Sequence, residues 1–305
     1  MAETVIRVDQ LRKAYGQVVA VDGVSLDVQA GEIVGLVGPN GAGKTTTIEC
    51  LEGLRRPDSG QVTVLGHDPW RADRHWRARL GAQLQRAALP DRLKVWEALD
   101  LYAAFYPRSV DWRPLLDRLG LADKTNDMFC RLSGGQQQRL FIALALVNDP
   151  ELVFLDEITT GLDPQARHGI WDLVHQVRDE GKTVFLTTHY MEEAERLCDR
   201  VAIIDHGRIV AMDSPEALIR NLGVEHRVVL SSEDGNVPNA LRELASVIRV
   251  EAYGPRTIVY GRDERLVVDV VERLLATGIR FRDLRTEQAN LEDVFLSLTG
   301  REMRD

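Results

Sequence analysis

The sequence predicts an α/β layer fold built on a largely parallel central sheet, and three apolar runs carry that prediction. Ile33 to Val37, Leu152 to Leu155 and Thr183 to Thr187 each have the length and β-branched content of a buried parallel strand, and a helical pattern follows each one. Strands and helices that alternate in this way place helices on the faces of a single sheet. With 305 residues there is room for two domains, and 44% apolar with 28% charged residues is ordinary globular composition, which excludes disordered, collagen-like and low-complexity chains.

Ahead of the first run, Val18 to Asp27 alternates like a half-buried strand. After Val37 comes a Gly-rich turn and then a helical stretch, Thr45 to Leu54. Between about residues 86 and 132 the texture becomes helical with few strand signals, which marks a helical subdomain. Its apolar and aromatic side chains, among them Trp96, Leu99, Leu101, Tyr102 and Phe105, are expected to be mostly core, with part of the set available for a docking groove. Ser214-Pro215-Glu216 places an N-cap before a proline at the first helical position, and Gly223 sits where that helix would stop, so a boundary is expected between domains 1–223 and 224–305. Beyond it the patterns run strand (227–230), helix (239–245), strand (248–252), strand (257–261), helix (264–277) and strand (279–285). That βαββαβ order is the signature of a small ferredoxin-like α+β module. A helical segment, 291–298, follows.

Thirty-eight basic against 47 acidic side chains give a net charge of −9, distributed over both parts of the chain. Nucleic acid or an anionic leaflet requires a concentrated positive surface, and none is visible, so neither is expected as a direct partner. Cys50, Cys130 and Cys198 are odd in number and far apart with no CxxC spacing, which speaks for neither a disulfide framework nor a zinc site and fits a reducing cytosol. The longest apolar run, Leu140 to Val147, is too short to span a bilayer, and MAETVIRVDQ does not resemble a signal peptide.

Three segments carry the chemistry. Gly38, Pro39, Asn40, Gly41, Ala42, Gly43, Lys44 and Thr45, followed by Thr46, match GxxxxGK[ST] between a strand and a helix, the context that motif needs. The glycines let successive N–H groups converge on phosphate oxygens at a helix N-terminus; Lys44 would reach the β and γ phosphates and the Thr45 hydroxyl a Mg²⁺. The second segment, Leu152 to Glu157, is an apolar strand ending in two carboxylates: Asp156 is suited to hold the metal and Glu157 to polarise an attacking water as general base. The third is Leu132-Ser133-Gly134-Gly135-Gln136, where Ser133 and Gln136 form a capping-box pattern that leaves both glycines in an exposed first turn.

These motifs, in this order, resemble the nucleotide-binding subunit of an ATP-binding cassette (ABC) transporter over about residues 3 to 222. The resemblance implies a head-to-tail homodimer with two ATP at the interface, in which Ser133, Gly134, Gly135 and Gln136 cap the nucleotide on the other subunit's phosphate loop. It further implies that Tyr15, in KAYG, stacks on adenine, that Asp163, in TTGLDP, crosses the interface, and that His189 contacts the γ-phosphate. Gln85, ending LGAQLQ, resembles the glutamine that meets Mg²⁺ and the attacking water, with Gln83 as a competitor because Leu84 stands where the family commonly has proline. Ile158 likewise replaces the proline usual after the acidic pair. The tail LEDVFLSLTG resembles exporter-type subunits for drugs, lipids or polysaccharides, the daunorubicin-resistance kind among them. The expected function is therefore an ATPase at the inner face of the cell membrane that powers a separately encoded transmembrane permease and meets the membrane only through it. The competing expectation is a soluble ABC-type ATPase acting on nucleic acid or ribosomes, which the acidic charge and the single cassette disfavour. A P-loop kinase is disfavoured by LSGGQ and by Glu157.

Overall fold

Two long strands, β1 (Thr4–Tyr15) and β2 (Val18–Gln29), form an antiparallel ribbon in which Val8 and Leu11 are buried between exposed neighbours and Ile6 is buried beside Val5. They are followed by β3 (Ile33–Val37), α1 (Lys44–Leu51), β4 (Ser59–Val64), α2 (Arg74–Arg77) and β5 (Leu80–Gln83). The computed structural model describes residues 3–83, 88–222, 226–261 and 265–300. Next come α3 (Val95–Ala103), α4 (Trp112–Arg118), α5 (Gly134–Leu146), β6 (Leu152–Asp156), α6 (Pro164–Asp179), β7 (Thr183–Thr188), α7 (Met191–Leu197), β8 (Arg200–Asp205) and β9 (Arg208–Asp213).

β4 joins the ribbon in a three-stranded antiparallel sheet of order β2-β1-β4, while the other strands form a six-stranded sheet of order β5-β6-β7-β3-β8-β9. Within the larger sheet every pair is parallel except β8–β9. That hairpin closes through His206-Gly207, both at positive φ, the turn whose twist matches its strands. As the unbroken apolar runs predicted, β3, β6 and β7 are buried along their whole length. Ile6, Leu11 and Val24 of the ribbon share one core with Leu36, Phe154 and Phe185 of the parallel sheet and with Ile48 and Leu51 of α1. In the segment read as a helical insert, Leu99 is fully buried, whereas Leu101 and Phe105 face outward.

By its internal contacts the chain divides into two units, one running to Asp213 and the other beginning at Ser214. The second contains α8 (Pro215–Asn221), β10 (His226–Ser231), α9 (Val237–Arg242), β11 (Val247–Tyr253), β12 (Arg256–Gly261), α10 (Arg265–Ala276), β13 (Arg282–Gln288) and α11 (Leu291–Thr299). Ser214 caps α8 through the Ala217 N–H, with proline in the first turn, as the sequence indicated. The strands form an antiparallel sheet of order β11-β12-β10-β13, which puts the first and third of the four in the centre, the ferredoxin-like arrangement. The division falls at 213/214 where the sequence placed it at 223, and the last strand begins at Arg282 and not at Ile279. Gly278 N–H bonds to the Leu275 carbonyl and Ile279 N–H to Leu274, a Schellman stop, so the buried Ile279 side chain belongs to the end of α10. No helix among the described residues is long and apolar enough to cross a membrane.

Candidate active site

Because β6, β7 and β3 are neighbours in the parallel sheet, their C-terminal ends bring together three loops far apart in sequence. Ligands of open parallel sheets bind at that edge. The phosphate loop leaves β3, Asp156 and Glu157 end β6, and His189 follows β7.

The loop is shaped by close backbone approaches. A Cβ on Gly38 would lie 2.1 Å from the Ile204 carbonyl oxygen, and one on Gly43 would lie 2.3 Å from that of Ala20. Gly43 also takes φ 106°, a conformation closed to other residues, as it caps α1. The Thr47 hydroxyl donates to the Gly43 carbonyl at 2.9 Å, and Gly207 N–H donates to Ala42 at 3.0 Å, which pins the loop to the β8–β9 turn. Lys44 is buried, and its Nζ donates to the carbonyls of Gly38 (2.8 Å) and Pro39 (3.2 Å) across the mouth of the loop. Such a cradle of backbone and one cation is an anion site.

Lys44 Nζ also lies 3.3 Å from Glu157 Oε1. Burial pulls the lysine pKa down, and the Glu157 and Asp156 charges partly restore it. The backbone of Glu157 is left-handed, φ 52°, with its N–H on the Thr187 carbonyl at 3.0 Å. A non-glycine residue in that region is strained, and here the strain sits on the carboxylate with the proposed chemistry. Asp156 is buried; burial and the Glu157 charge raise its pKa, while hydrogen bonds from Thr187 and Thr45 and the Lys44 charge oppose the rise. Asp156 and Thr45 therefore face one another, as a metal shared with the phosphates requires. Ile158 is almost fully buried, so an apolar anchor fixes the turn where the sequence departs from the family's proline.

His189 Nδ1 lies 3.4 Å from the same Glu157 Oε1. The remaining candidates lie in other places. Tyr15 ends β1, is 41% exposed, and has Arg55 at 5.2 Å and Lys13 at 5.8 Å from its ring centroid. Ser133 accepts from Gln136 N–H at 3.3 Å, and Gln136 Oε1 accepts from Ser133 N–H at 2.9 Å, the capping box anticipated from sequence, with Ser133 and Gly134 exposed. A Cβ on Gly135 would stand 3.1 Å from Ala166 Cβ, so this turn packs on the start of α6, where Asp163 is an exposed N-cap accepting from Ala166 N–H at 2.8 Å. Gln83 is buried at the end of β5 beside Leu155. Gln85 lies outside the described residues. Sequence reasoning missed Thr187, which holds Asp156, and Glu193, whose Oε1 accepts from Trp171 Nε1 at 3.1 Å behind the histidine turn. The second threonine of TVFLTT, a polar residue ending a buried strand, was the available signal for the first.

A parallel sheet with a phosphate loop, an acidic strand end and a strand-end histidine defines a P-loop ATPase cassette. The family model for ABC transporters matches residues 21–160, and an AAA-domain model matches 130–193. The Nod factor export ATP-binding protein I of Paraburkholderia xenovorans is 42% identical over 315 residues, covering all of both chains. A solved ATP-binding subunit of an ABC transporter superposes with a TM-score of 0.65 at 29% identity, over 72% of this chain and 93% of that one. A bacterial ABC transporter cassette solved as a dimer gives 0.61 at 28% identity, over 68% and 98%. The chain belongs to the ABC transporter family as its ATP-binding subunit, an ATPase whose hydrolysis powers transport. These relatives favour the transport reading over action on nucleic acid or ribosomes.

Proposed function

We propose that this chain hydrolyses MgATP with Glu157 as general base and drives export through a separate transmembrane permease. The observation that carries the reading is the convergence of Lys44 Nζ and His189 Nδ1 on Glu157 Oε1, at 3.3 and 3.4 Å, beside the backbone cradle of the phosphate loop. The cradle and Lys44 take the phosphates, Tyr15 stacks on adenine, and Glu157 accepts the proton of a water aimed in line at the γ-phosphorus. His189 stabilises charge on the γ-phosphate. Thr45 and Asp156 offer hard oxygen donors fit for magnesium, with the glutamine after β5 as a further donor. Bound there, Mg²⁺ would neutralise phosphate charge.

The exposed signature turn and Asp163 support a head-to-tail homodimer in which each copy closes the other's site. The γ-phosphate then holds the closed state, and its loss reopens it. Leu101 and Phe105, exposed on the insert, suit docking to the permease, which would place the chain on the inner face of the membrane. The relative's name, Nod factor export, supports export over import; drugs, lipids and polysaccharides are the substrate classes the reading covers.

Glu157→Gln is the direct test. It should bind ATP, lose on the order of 10²-fold or more in turnover and accumulate as an ATP-bound dimer in size-exclusion chromatography. Turnover equal to that of the parent chain removes Glu157 from its role. Chemical cross-linking of the insert to a copurifying membrane protein tests the docking.

A further inference from the structure

Glu193, on α7, is fully buried, and the mechanism above does not use it. Its Oε1 accepts from Trp171 Nε1, on α6, at 3.1 Å. The hydroxyls of Thr188 and Thr159 face the same carboxyl. Thr188 is the residue before His189, and its Oγ1 accepts the Tyr190 N–H at 3.0 Å, so it spans the histidine. Thr159 lies two residues beyond Glu157, buried, and among the described residues neither its hydroxyl nor Glu193 Oε2 has a hydrogen-bond partner. A further link leads back to α6: the Arg167 guanidinium sits 4.3 Å over the Tyr190 ring, which stacks 4.1 Å from His189.

We propose that Glu193 is a positioning residue for hydrolysis: its buried carboxyl joins α6, which begins at the interface residue Asp163, to the two turns that carry Glu157 and His189. A buried carboxyl that is bonded at one oxygen only is costly to keep, which marks a group retained for what it positions. Here its neighbours come from one helix and two turns, and the side chains of those turns must agree within about 0.5 Å for a water to attack in line. Movement of α6 when Asp163 meets a second copy reaches both turns through this group. The inference rests on the roles given to Glu157 and His189, but it concerns the geometry between them and not their chemistry.

Steady-state hydrolysis by the full chain, with Tm and ATP affinity measured alongside, provides the test. Glu193→Leu should lower kcat roughly tenfold or more, since displacements near 1 Å cost about that much or more, and should leave KM for ATP within about threefold. Glu193→Gln, which keeps the acceptor oxygen and the shape, should recover most of the rate. A merely structural role predicts a lower Tm with kcat intact in the folded fraction, and that result overturns the proposal. Equal losses in the Leu and Gln variants, or a loss confined to KM, also overturn it. If Glu193→Leu does not fold, Trp171→Phe decides, because it removes the indole donor and keeps an aromatic ring: a fall in kcat at unchanged KM and unchanged Tm supports the proposal, and unchanged kcat overturns it. Parallel assay of Glu157→Gln separates the two levels. An active Glu157→Gln removes the underlying reading, whereas an inactive Glu157→Gln beside a fully active Glu193→Leu removes only the role of Glu193.

Discussion

His189 Nδ1 stands 3.4 Å from Glu157 Oε1, the oxygen that Lys44 Nζ also approaches to 3.3 Å, so one carboxylate oxygen meets both the strand-end histidine and the loop lysine. Of the two neighbours, only Lys44 is built into the phosphate cradle. Removal of the histidine therefore leaves the ground-state site intact and affects what forms during hydrolysis. His189→Ala should lower kcat on the order of 10²-fold while the Kd for ATP stays within about threefold. A change in Kd as large as the change in kcat would place His189 in ground-state binding instead.

Tyr15 tests the other end of the nucleotide. It is the exposed end of a strand with two cations near its ring, and an aromatic so placed offers a face to a base. Tyr15→Ala should weaken ATP about tenfold, the scale of one stacked base, and Tyr15→Phe should not. Inhibition by inorganic tripolyphosphate, which has no base, should be the same in all three proteins. If Tyr15→Ala weakens tripolyphosphate equally, the side chain supports the loop and does not stack.

The phosphate loop, the acidic pair and the signature cap were legible in the sequence because each is a contiguous segment whose backbone geometry is dictated by its own residues. Ser133 and Gln136 cap each other across three positions, and Gly43 turns where only glycine turns. The roles of Thr187 and Glu193 were not legible: a polar residue near the end of a buried strand singles out Thr187 but not its partner, and each acts through a group that only the fold brings near, Asp156 being 31 residues from Thr187 and Trp171 22 from Glu193. Ile279 was misassigned for a different reason. An apolar residue after a helix reads equally as the first residue of a strand or as the anchor of a Schellman stop, and the choice depends on hydrogen bonds to Leu274 and Leu275 that no pattern displays.

Gly38 and Gly41 separate two costs that one motif merges. A methyl group on Gly38 would meet the Ile204 carbonyl at 2.1 Å, a backbone atom that cannot turn aside, whereas one on Gly41 would enter open space at φ 79°. Gly38→Ala should therefore cost on the order of 3 kcal/mol through displacement of the loop and abolish ATP binding. Gly41→Ala should cost only about 1 kcal/mol of backbone strain and retain binding. Thermal unfolding and nucleotide titration of both variants check the order, and equal losses would mean that the approach to Ile204 does not shape the loop.

Glu52 makes the sharpest pH prediction. It ends α1 with its N–H on the Ile48 carbonyl, yet its carboxyl group is buried, neither oxygen has a hydrogen bond among the described residues, and burial, then the charges of Asp156 and Glu49, push its pKa to about 8 from an ordinary 4.5. Below pH 4.5 both the folded and the unfolded chain carry the proton, and no penalty arises. Between 4.5 and 8 the unfolded chain releases it while the folded chain retains it, so the folded state loses about 1.4 kcal/mol per pH unit relative to the unfolded one. Above 8 both are ionised and the loss is constant. Glu52→Gln cannot ionise and should escape this loss, gaining on the order of 3 kcal/mol over the parent chain at pH 7 and almost nothing at pH 4.5. Denaturant unfolding without nucleotide at pH 4.5, 6, 7 and 8.5 measures the difference. A gap between the two proteins that does not change with pH would mean that Glu52 ionises alike in the folded and unfolded chains.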